Sequence, residues 1–348
     1  MKYSFKIGSA WGIPVEVHIT FILLIVAVFI LSYPELYFPI LFLSFFVFVV
    51  LHELSHSLIA RHYKIKVRKI VLYPIGGVSE IEEIPENPRI EWRMAIAGPL
   101  TSFAIGTALL ALAAATTGLV ALPSLALTGD NFLFDLASLN LLLGAFNMIP
   151  AFPMDGGRVL RAILAEKLKF SDATRYAAFL GIIMAVVGVL YDPWLIIIGV
   201  FVYIGATEET EATIVSSTMA RVRVKDVMYS EVAAVQPETT LADALETMFK
   251  ARYHDVLVEK DGVLMGIVTW SEIMKVRPEQ RSSLRVEQLP MKQLFVFADE
   301  SILEAYKIMG REKIDLVPVV TRETPTKVAG VITNEGVAYA YEKAKTLR

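Results

Sequence analysis

The sequence predicts a polytopic α-helical membrane protein with about six transmembrane helices, followed by a soluble α/β module of two repeats. Composition is the first reason. Of the 348 residues, 55% are hydrophobic and 20% are charged, whereas soluble domains average about 45–50% and about 25%. The second reason is that Lys and Arg are absent from three long stretches of the N-terminal region. The third is a pattern of one helix and two strands that occurs twice after residue 223.

The stretches without Lys or Arg predict three helical hairpins. They run over residues 7–60, 94–157 and 176–220. Each can hold two crossings, since one crossing needs about 20 residues. The six predicted crossings are 17–31, 38–60, 94–116, 136–154, 176–190 and 194–207.

The position of the cations predicts how these helices are oriented. In the N-terminal region, Lys and Arg lie before, between or after the hairpins and never at the hairpin tips. Because such cations stay on the cytoplasmic side, we expect a multi-pass protein of the cell membrane with both termini in the cytoplasm. A large soluble protein with buried helices is the alternative, but stretches this long without a cation are difficult to explain in water.

The remaining sequence predicts two further parts. A polar linker over 208–223 separates the transmembrane domain, 1–207, from a cytoplasmic module over 224–348. The net charge of −3 and the lack of a basic stripe argue against a nucleic-acid partner. Each repeat of the module has a helix and two strands, and the second strand ends in Thr. These segments are Leu241–Arg252, Asp255–Val258 and Gly266–Thr269 in the first repeat, and Ile302–Glu312, Asp315–Val319 and Gly330–Thr333 in the second.

The module resembles a tandem pair of CBS domains, a family that often binds adenosyl nucleotides. In that family a Thr or Ser is followed three residues later by an acid that contacts the ribose; this acid is usually Asp, and Glu272 stands in its place here. Thr269 and Glu272 have this spacing, so the resemblance implies an AMP or ATP site at the first repeat. Thr333 is followed at that spacing by Gly336, so the second repeat lacks the pattern. The resemblance also implies a homodimer formed through the CBS pair. A regulatory or dimerising module without a ligand is the alternative.

The segment His52-Glu53-Leu54-Ser55-His56 lies at the end of the second predicted crossing. Imidazoles four residues apart lie on one face of a helix, and two neutral imidazoles there can hold one Zn²⁺. Glu53 is placed to act as general base on a water molecule. Ionisable side chains in an apolar helix indicate function by default, because burying them unpaired is costly. The alternative is a helix end that is simply wetted at the interface.

A catalytic zinc site needs a third protein ligand. The chain has no Cys, which leaves His, Asp and Glu. Asp155 is the best candidate, because prolines and glycines interrupt the helix around it, and non-helical backbone is tolerated at membrane depth where protein surrounds it. Pairing of Asp155 with Arg158 is the alternative. Asp130 and Asp135 are weaker candidates, since the cation pattern puts them on the far side of the membrane. The three other histidines are poorly placed: His18, His62 and His254.

These motifs together resemble the site-2 protease family of intramembrane metalloproteases. The resemblance rests on residues 52–56 in the second crossing and on Asn147, Pro150 and Asp155-Gly156-Gly157 in the fourth. It covers about residues 1–207, and members with a C-terminal CBS pair are known. It implies that His52, His56 and Asp155 bind one Zn²⁺, that Glu53 is the catalytic acid/base, and that Asn147 positions the substrate or its oxyanion. A helix–helix hydrogen bond is the alternative role for Asn147.

The resemblance also implies a function. Family members cut transmembrane helices of membrane-tethered regulatory proteins, so the expected partners are such a substrate and the lipid bilayer. Residues 73–81 predict a strand–turn–strand element, and we hypothesise that its edge pairs with an extended substrate. Modulation by adenine nucleotide is a further hypothesis. The alternative function is a CBS-regulated ion transporter or channel that uses the membrane His and Glu residues, although no inverted repeat is evident.

Overall fold

The chain forms two units, Met1–Thr213 and Ile214–Arg348. The structure, a computed structural model, describes residues 3–81, 86–117, 127, 129–230 and 233–346. The first unit contains seven α-helices and one sheet among its described residues. The second contains two small sheets and four α-helices in the part that is described.

The helices of the first unit follow the apolar stretches of the sequence. They are α1 (Ile19–Ser32), α2 (Tyr37–His62), α3 (Pro88–Thr117), α4 (Phe132–Asn147), α5 (Asp155–Ala165), α6 (Phe170–Tyr191) and α7 (Ile196–Met219). Within the described residues, α2, α3 and α6 are long and apolar enough to cross a membrane, whereas α1 and α4 have only 14 and 16 residues. Three candidate spans are therefore supported, and the predicted number of about six is not confirmed.

The fourth predicted crossing is shorter than expected. It was predicted over 136–154, but α4 ends at Asn147, and α5 begins only at Asp155. Pro150 and Pro153 lie in the connection, where they remove backbone donors that a continuous helix needs. Gly156 packs against this connection, since a Cβ on it would lie 2.4 Å from the carbonyl oxygen of Ile149. The interruption therefore fixes the start of α5, and with it Asp155.

A four-stranded sheet accompanies the helices. Its strands are β1 (Ser4–Ala10), β2 (Ile13–His18), β3 (Val67–Tyr73) and β4 (Gly76–Ile81), in the order β1-β2-β3-β4. Strands β2 and β3 are parallel, and the two outer pairs are antiparallel. The strand–turn–strand element predicted over 73–81 corresponds to a β3–β4 hairpin, but its first strand begins earlier, at Val67, and only Tyr73 of that strand lies in the predicted range. Strand β4 lies at one edge of the sheet. The β1–β2 hairpin was not predicted, although the alternating burial of β2 reflects an apolar residue at every second position.

Ion pairing links the inner strands of this sheet. The ammonium group of Lys69 on β3 lies 2.6 Å from a carboxylate oxygen of Glu16 on β2. Hydrogen bonds from Lys69 and from Ser4 lower the pKa of Glu16 below its usual value. These contacts lie outside the apolar helices, and they hold β1, β2 and β3 together by polar as well as apolar contacts.

The second unit confirms the two predicted repeats. Its elements are β5 (Ala234–Val235), α8 (Leu241–Ala251), β6 (Asp255–Lys260), β7 (Val263–Thr269), α9 (Trp270–Met274), β8 (Val296–Phe297), α10 (Ile302–Glu312), β9 (Leu316–Val320), β10 (Val328–Thr333) and α11 (Asn334–Thr346). The sheet orders are β5-β6-β7 and β10-β9-β8, and each sheet has one parallel and one antiparallel pair. Helix α7 continues to Met219, so most of the predicted linker is helical. The predicted domain boundaries stay a prediction.

Candidate metal centre

Two imidazoles and one carboxylate meet inside the first unit. His52 and His56 lie one turn apart on α2, and Asp155 is the first residue of α5. The Nε2 atoms of His52 and His56 lie 3.3 and 3.1 Å from Asp155 Oδ2. One donor atom from each residue lies within 4.8 Å of the others, and no other group of this kind occurs in the part of the chain that the structure describes. Both imidazoles are buried, and Asp155 is 14% exposed.

The second nitrogen of each imidazole has a partner on α3. His52 Nδ1 lies 2.9 Å from the hydroxyl of Ser102, and His56 Nδ1 lies 2.6 Å from the carbonyl oxygen of Met94. The carbonyl can only accept, so His56 carries its proton on Nδ1 when it is neutral. Both Nε2 atoms are thereby directed toward Asp155. Such outer hydrogen bonds orient the histidines of metal sites and fix their tautomer.

Close approach of α3 requires glycine at one position. A Cβ on Gly98 would lie 2.2 Å from His56 Nε2 and 2.5 Å from His52 Nε2. Real side chains do not tolerate contacts this short, so any larger residue would displace an imidazole. Met94, Gly98 and Ser102 are four residues apart in turn, which places all three on one face of α3. That face forms the wall of the site.

Helix α5 is also held by an ion-pair network about two turns after Asp155. Arg161 Nε donates to Glu91 Oε1 at 2.8 Å, and Arg161 Nη1 lies 2.8 Å from Glu209 Oε1. Arg161 is 4% exposed and Glu91 is 1% exposed. The guanidinium also lies over the rings of Phe152 and Phe170. These contacts tie α5, which carries Asp155, to α3 and α7.

Glu53 contacts the β3–β4 hairpin. The hydroxyl of Ser79 on β4 donates to Glu53 Oε2 at 2.7 Å and also lies 3.2 Å from the backbone oxygen of Glu53. The edge strand and the helix that carries both histidines therefore meet at this carboxylate. Ser57 of α2 donates to the same Ser79 hydroxyl oxygen at 3.1 Å, which adds a second link between helix and strand.

The other predicted residues of the first unit make contacts of their own. Asn147 ends α4, and its amide nitrogen donates to the carbonyl oxygen of Leu143 at 3.0 Å. Asp135 is fully buried and accepts hydrogen bonds from the Tyr37 hydroxyl and the Gly129 amide, both at 2.9 Å. The cluster described above contains neither Asp130 nor Asp135.

The predicted nucleotide residues occupy a helix start in the second unit. Thr269 ends β7, is 5% exposed, and accepts a hydrogen bond from the Glu272 amide at 3.3 Å. The Glu272 carboxylate lies 2.6 Å from the Lys275 ammonium group. Thr333 has the same capping contact, in its case with the Gly336 amide at 3.1 Å. Both threonines thus cap a helix, and the nucleotide site stays a prediction.

Comparison with known proteins identifies the family. Residues 40–128 and 120–188 match the family model of Peptidase family M50, and residues 224–279 and 286–343 match that of the CBS domain. Zinc metalloprotease MJ0392 of Methanocaldococcus jannaschii is 39% identical over 282 residues, which cover 79% of this chain and 80% of that protein. The chain belongs to peptidase family M50. It is the site-2 protease type that the motifs predicted, with a tandem CBS pair.

Two further relatives are similar to this metalloprotease. The putative zinc metalloprotease Rip3 of Mycobacterium tuberculosis is 30% identical over 257 residues, which are 69% of this chain and 64% of that protein. A solved structure of a site-2 protease from Methanocaldococcus jannaschii is 43% identical and has a TM-score of 0.45. The match covers 60% of this chain and 95% of the chain in that structure.

Sequence reasoning missed several residues around this candidate metal centre. Met94 and Ser102 were not singled out, and Ser79 was noted only as part of a strand. One sequence pattern could have indicated these residues of α3: Met94 and Ser102 lie four residues before and four residues after Gly98. Such spacing in an apolar helix is common, however, and it does not say which neighbour the face contacts. Only the packing of α3 on α2 shows that this face of α3 contacts the two imidazoles.

Proposed function

We propose that this metalloprotease holds one Zn²⁺ with His52, His56 and Asp155 and hydrolyses peptide bonds in or near transmembrane helices of membrane-tethered regulatory proteins. The observation that carries this assignment is the cluster of three donor atoms within 4.8 Å. Two His and one carboxylate are a known catalytic donor set for zinc, which leaves one position open. The imidazole contacts with Ser102 and Met94 support the fit, because they leave both Nε2 atoms for the ion.

Bound zinc supplies a Lewis acid and lowers the pKa of water to about 7. In this proposal Glu53 accepts the proton of the attacking water and later delivers it to the leaving amide nitrogen. The hydrogen bond from Ser79 to Glu53 Oε2 supports this role, since it holds one carboxylate oxygen and leaves the other to accept the proton. In this proposal Glu53 therefore carries out the proton transfer, and the contact between α2 and β4 positions its carboxylate.

Asn147 is proposed as the donor to the oxyanion that develops on the scissile carbonyl. A side-chain amide has two N–H groups, and the contact with Leu143 uses one of them. The second can donate to the substrate. A fixed donor of this kind stabilises developing negative charge in a water-poor site.

Substrate is proposed to bind as an extended segment along β4. An intact helix hides its carbonyl groups, so the scissile region must unwind. Strand β4 is an edge strand and carries Ser79, which contacts Glu53. Pairing of an unwound segment with this edge would bring its carbonyl groups beside the proposed catalytic carboxylate. Crosslinking from β4 that never reaches the substrate would contradict this part of the proposal.

The orientation proposed for the protein follows from its charges. Both termini and the CBS pair are placed in the cytoplasm, and the metal site is placed near that side of the cell membrane. Cleavage there would release a cytosolic product. Adenine nucleotide bound near Thr269 and Glu272 is proposed to modulate cleavage, and a homodimer through the CBS pair is proposed as its assembly. Equal cleavage with and without AMP or ATP would count against the modulation.

The experiment that tests the function uses the full chain in lipid vesicles with a membrane protein substrate that has one transmembrane helix. Wild type should contain one zinc ion per chain and cut the substrate, and Asp155→Asn should lose both properties. Removing zinc with a chelator should stop cleavage, and adding it back should restore cleavage. Ion flux that depends on His52 and His56, without any cleavage, would favour the transporter alternative instead.

A further inference from the structure

A cationic cavity lies at the end of α2. Its volume is about 320 Å³, and Arg61, Lys64 and Lys66 line it together with four uncharged residues. No acidic side chain is among the described residues that line it. Ligand sites commonly have volumes of about 300–1,000 Å³. The cavity therefore has the volume of a ligand site, and the charged residues among its described lining are all cations.

Backbone geometry builds this cavity between two elements. Arg61 is in the last turn of α2, and its Nη1 donates to the carbonyl oxygen of Trp11. Trp11 and Gly12 have φ values of 49° and 80° and form the turn between β1 and β2, and Lys64 has a φ of 61°. This contact joins the hairpin turn to the helix end. A guanidinium has five N–H donors, so Arg61 retains donors for a ligand after the contact with Trp11.

The cavity lies where the chain leaves its apolar region. Helix α2 has 26 residues and is a candidate span. Arg61 is the first Lys or Arg after Lys6. Cations at such a boundary lie at the level of the lipid headgroups. An anionic headgroup in the same leaflet would thus lie at the depth of the cavity.

An exposed apolar edge belongs to the same hairpin whose turn lines the cavity. Phe5 and Ile7 of β1 are 54% and 63% exposed, and Trp11, next to the lining residue Gly12, is 69% exposed. Strand β1 is an edge strand of the sheet. Large apolar side chains at an exposed edge are unfavourable in water, whereas Trp is favoured at the membrane interface. A free phosphate ion would not contact these apolar side chains, whereas a lipid would.

We propose that this cavity binds the phosphate headgroup of an anionic phospholipid, with Trp11 and the apolar side chains of β1 inserted in the interface. Among the described residues of the sheet, Glu16 and Glu80 contact Lys69 and do not line the cavity. The lipid anchors the sheet at the membrane surface. Because β4 belongs to the same sheet, the lipid also holds the β3–β4 hairpin, and with it Ser79, at the depth of α2.

The competing role for these cations is to compensate the carbonyl groups at the C-terminal end of α2. The test uses the purified full chain in mixed micelles with equal amounts of phosphatidylglycerol and phosphatidylcholine, and counts retained lipids by native mass spectrometry. The variant is Arg61→Gln, Lys64→Gln and Lys66→Gln combined. The matched control is Lys167→Gln, Lys169→Gln and Arg175→Gln, which removes the same charge from exposed cations outside the cavity. Unchanged zinc content shows that each variant is folded.

Wild type and control should retain phosphatidylglycerol in preference to phosphatidylcholine. The cavity variant should bind it more weakly, by about fivefold for each cation removed. Trp11→Ser should weaken binding of the lipid. Equal retention by the cavity variant and the control would overturn the proposal, as would wild type that does not prefer the anionic lipid. Glycerol phosphate that binds as tightly as phosphatidylglycerol would assign the site to a free phosphate instead, and would also overturn it.

Discussion

Gly98 of α3 lies directly against the imidazole of His56. A methyl group on its Cα would lie 2.2 Å from His56 Nε2, the nitrogen that faces Asp155. The glycine therefore lets α3 approach α2 closely enough for Ser102 and Met94 to contact the two imidazoles. One small residue thus controls both the position of the proposed ligands and the helix that orients them.

Gly98→Ala should therefore reduce zinc content and cleavage together, because the new Cβ displaces an imidazole. Measurement of zinc per chain by elemental analysis, with cleavage in vesicles, checks this. Gly188→Ala is the matched control. Gly188 also lies in an apolar helix, but its Cβ would meet only Leu195 Cδ1 at 3.5 Å, an ordinary contact. Normal zinc content in Gly98→Ala would show that the site is looser than the structure indicates.

The hydrogen bond between Ser102 and His52 should strengthen metal binding. Removal of a partner of this kind weakens metal affinity by roughly 10–100-fold, so Ser102→Ala should lose zinc to a competing chelator at a lower chelator concentration. Ser55→Ala is a suitable control, because the Ser55 hydroxyl contacts Thr101 and the Leu51 carbonyl rather than an imidazole. Equal chelator resistance in the two variants would remove Ser102 from the site.

Substitution of Arg161 should lower the stability of the fold more than the rate of cleavage. Arg161→Ala leaves Glu91 buried without its partner, and breaking a buried pair of this kind costs about 3–5 kcal/mol. Thermal unfolding in detergent should show a clearly lower midpoint for the first unit. Arg322→Ala breaks a pair with Asp299 whose side chains are 62% and 57% exposed, and such pairs contribute little. If Arg161→Ala unfolds at the wild-type temperature, the network does not hold α5.

The cluster of His52, His56 and Asp155 was predictable from sequence because the chemistry of a metal site is strongly constrained. His52 and His56 have the spacing of one helical turn. The absence of Cys and the poor placement of the three other histidines then favoured a carboxylate as the third ligand. The break around Asp155 was visible in Pro150, Pro153 and the paired glycines. That α4 stops at Asn147 and a separate helix α5 starts at Asp155 was not predicted, since prolines mark an interruption without giving its length.

The surroundings of the cluster were less predictable for a different reason. Ser102 and Met94 act through a contact between two helices, and apolar periodicity does not identify the neighbour of a face. The β1–β2 hairpin was missed because β2 ends at His18 and α1 begins at Ile19, so no turn residue marks the change from strand to helix. Its parallel pairing with β3 joins residues that are far apart in sequence, for example Val15 and Ile70, and no local pattern encodes that partner.

The most direct test of the central claim is Glu53→Gln in the full chain, with zinc content and cleavage of a helical membrane substrate measured on the same preparation. The amide keeps the size of the side chain but cannot accept the proton of the attacking water. Zinc should therefore remain at one ion per chain while cleavage falls by about 10²–10⁴-fold. Glu80→Gln, which changes a carboxylate that contacts Lys69 instead, should keep both. Cleavage at the wild-type rate in Glu53→Gln would contradict the account.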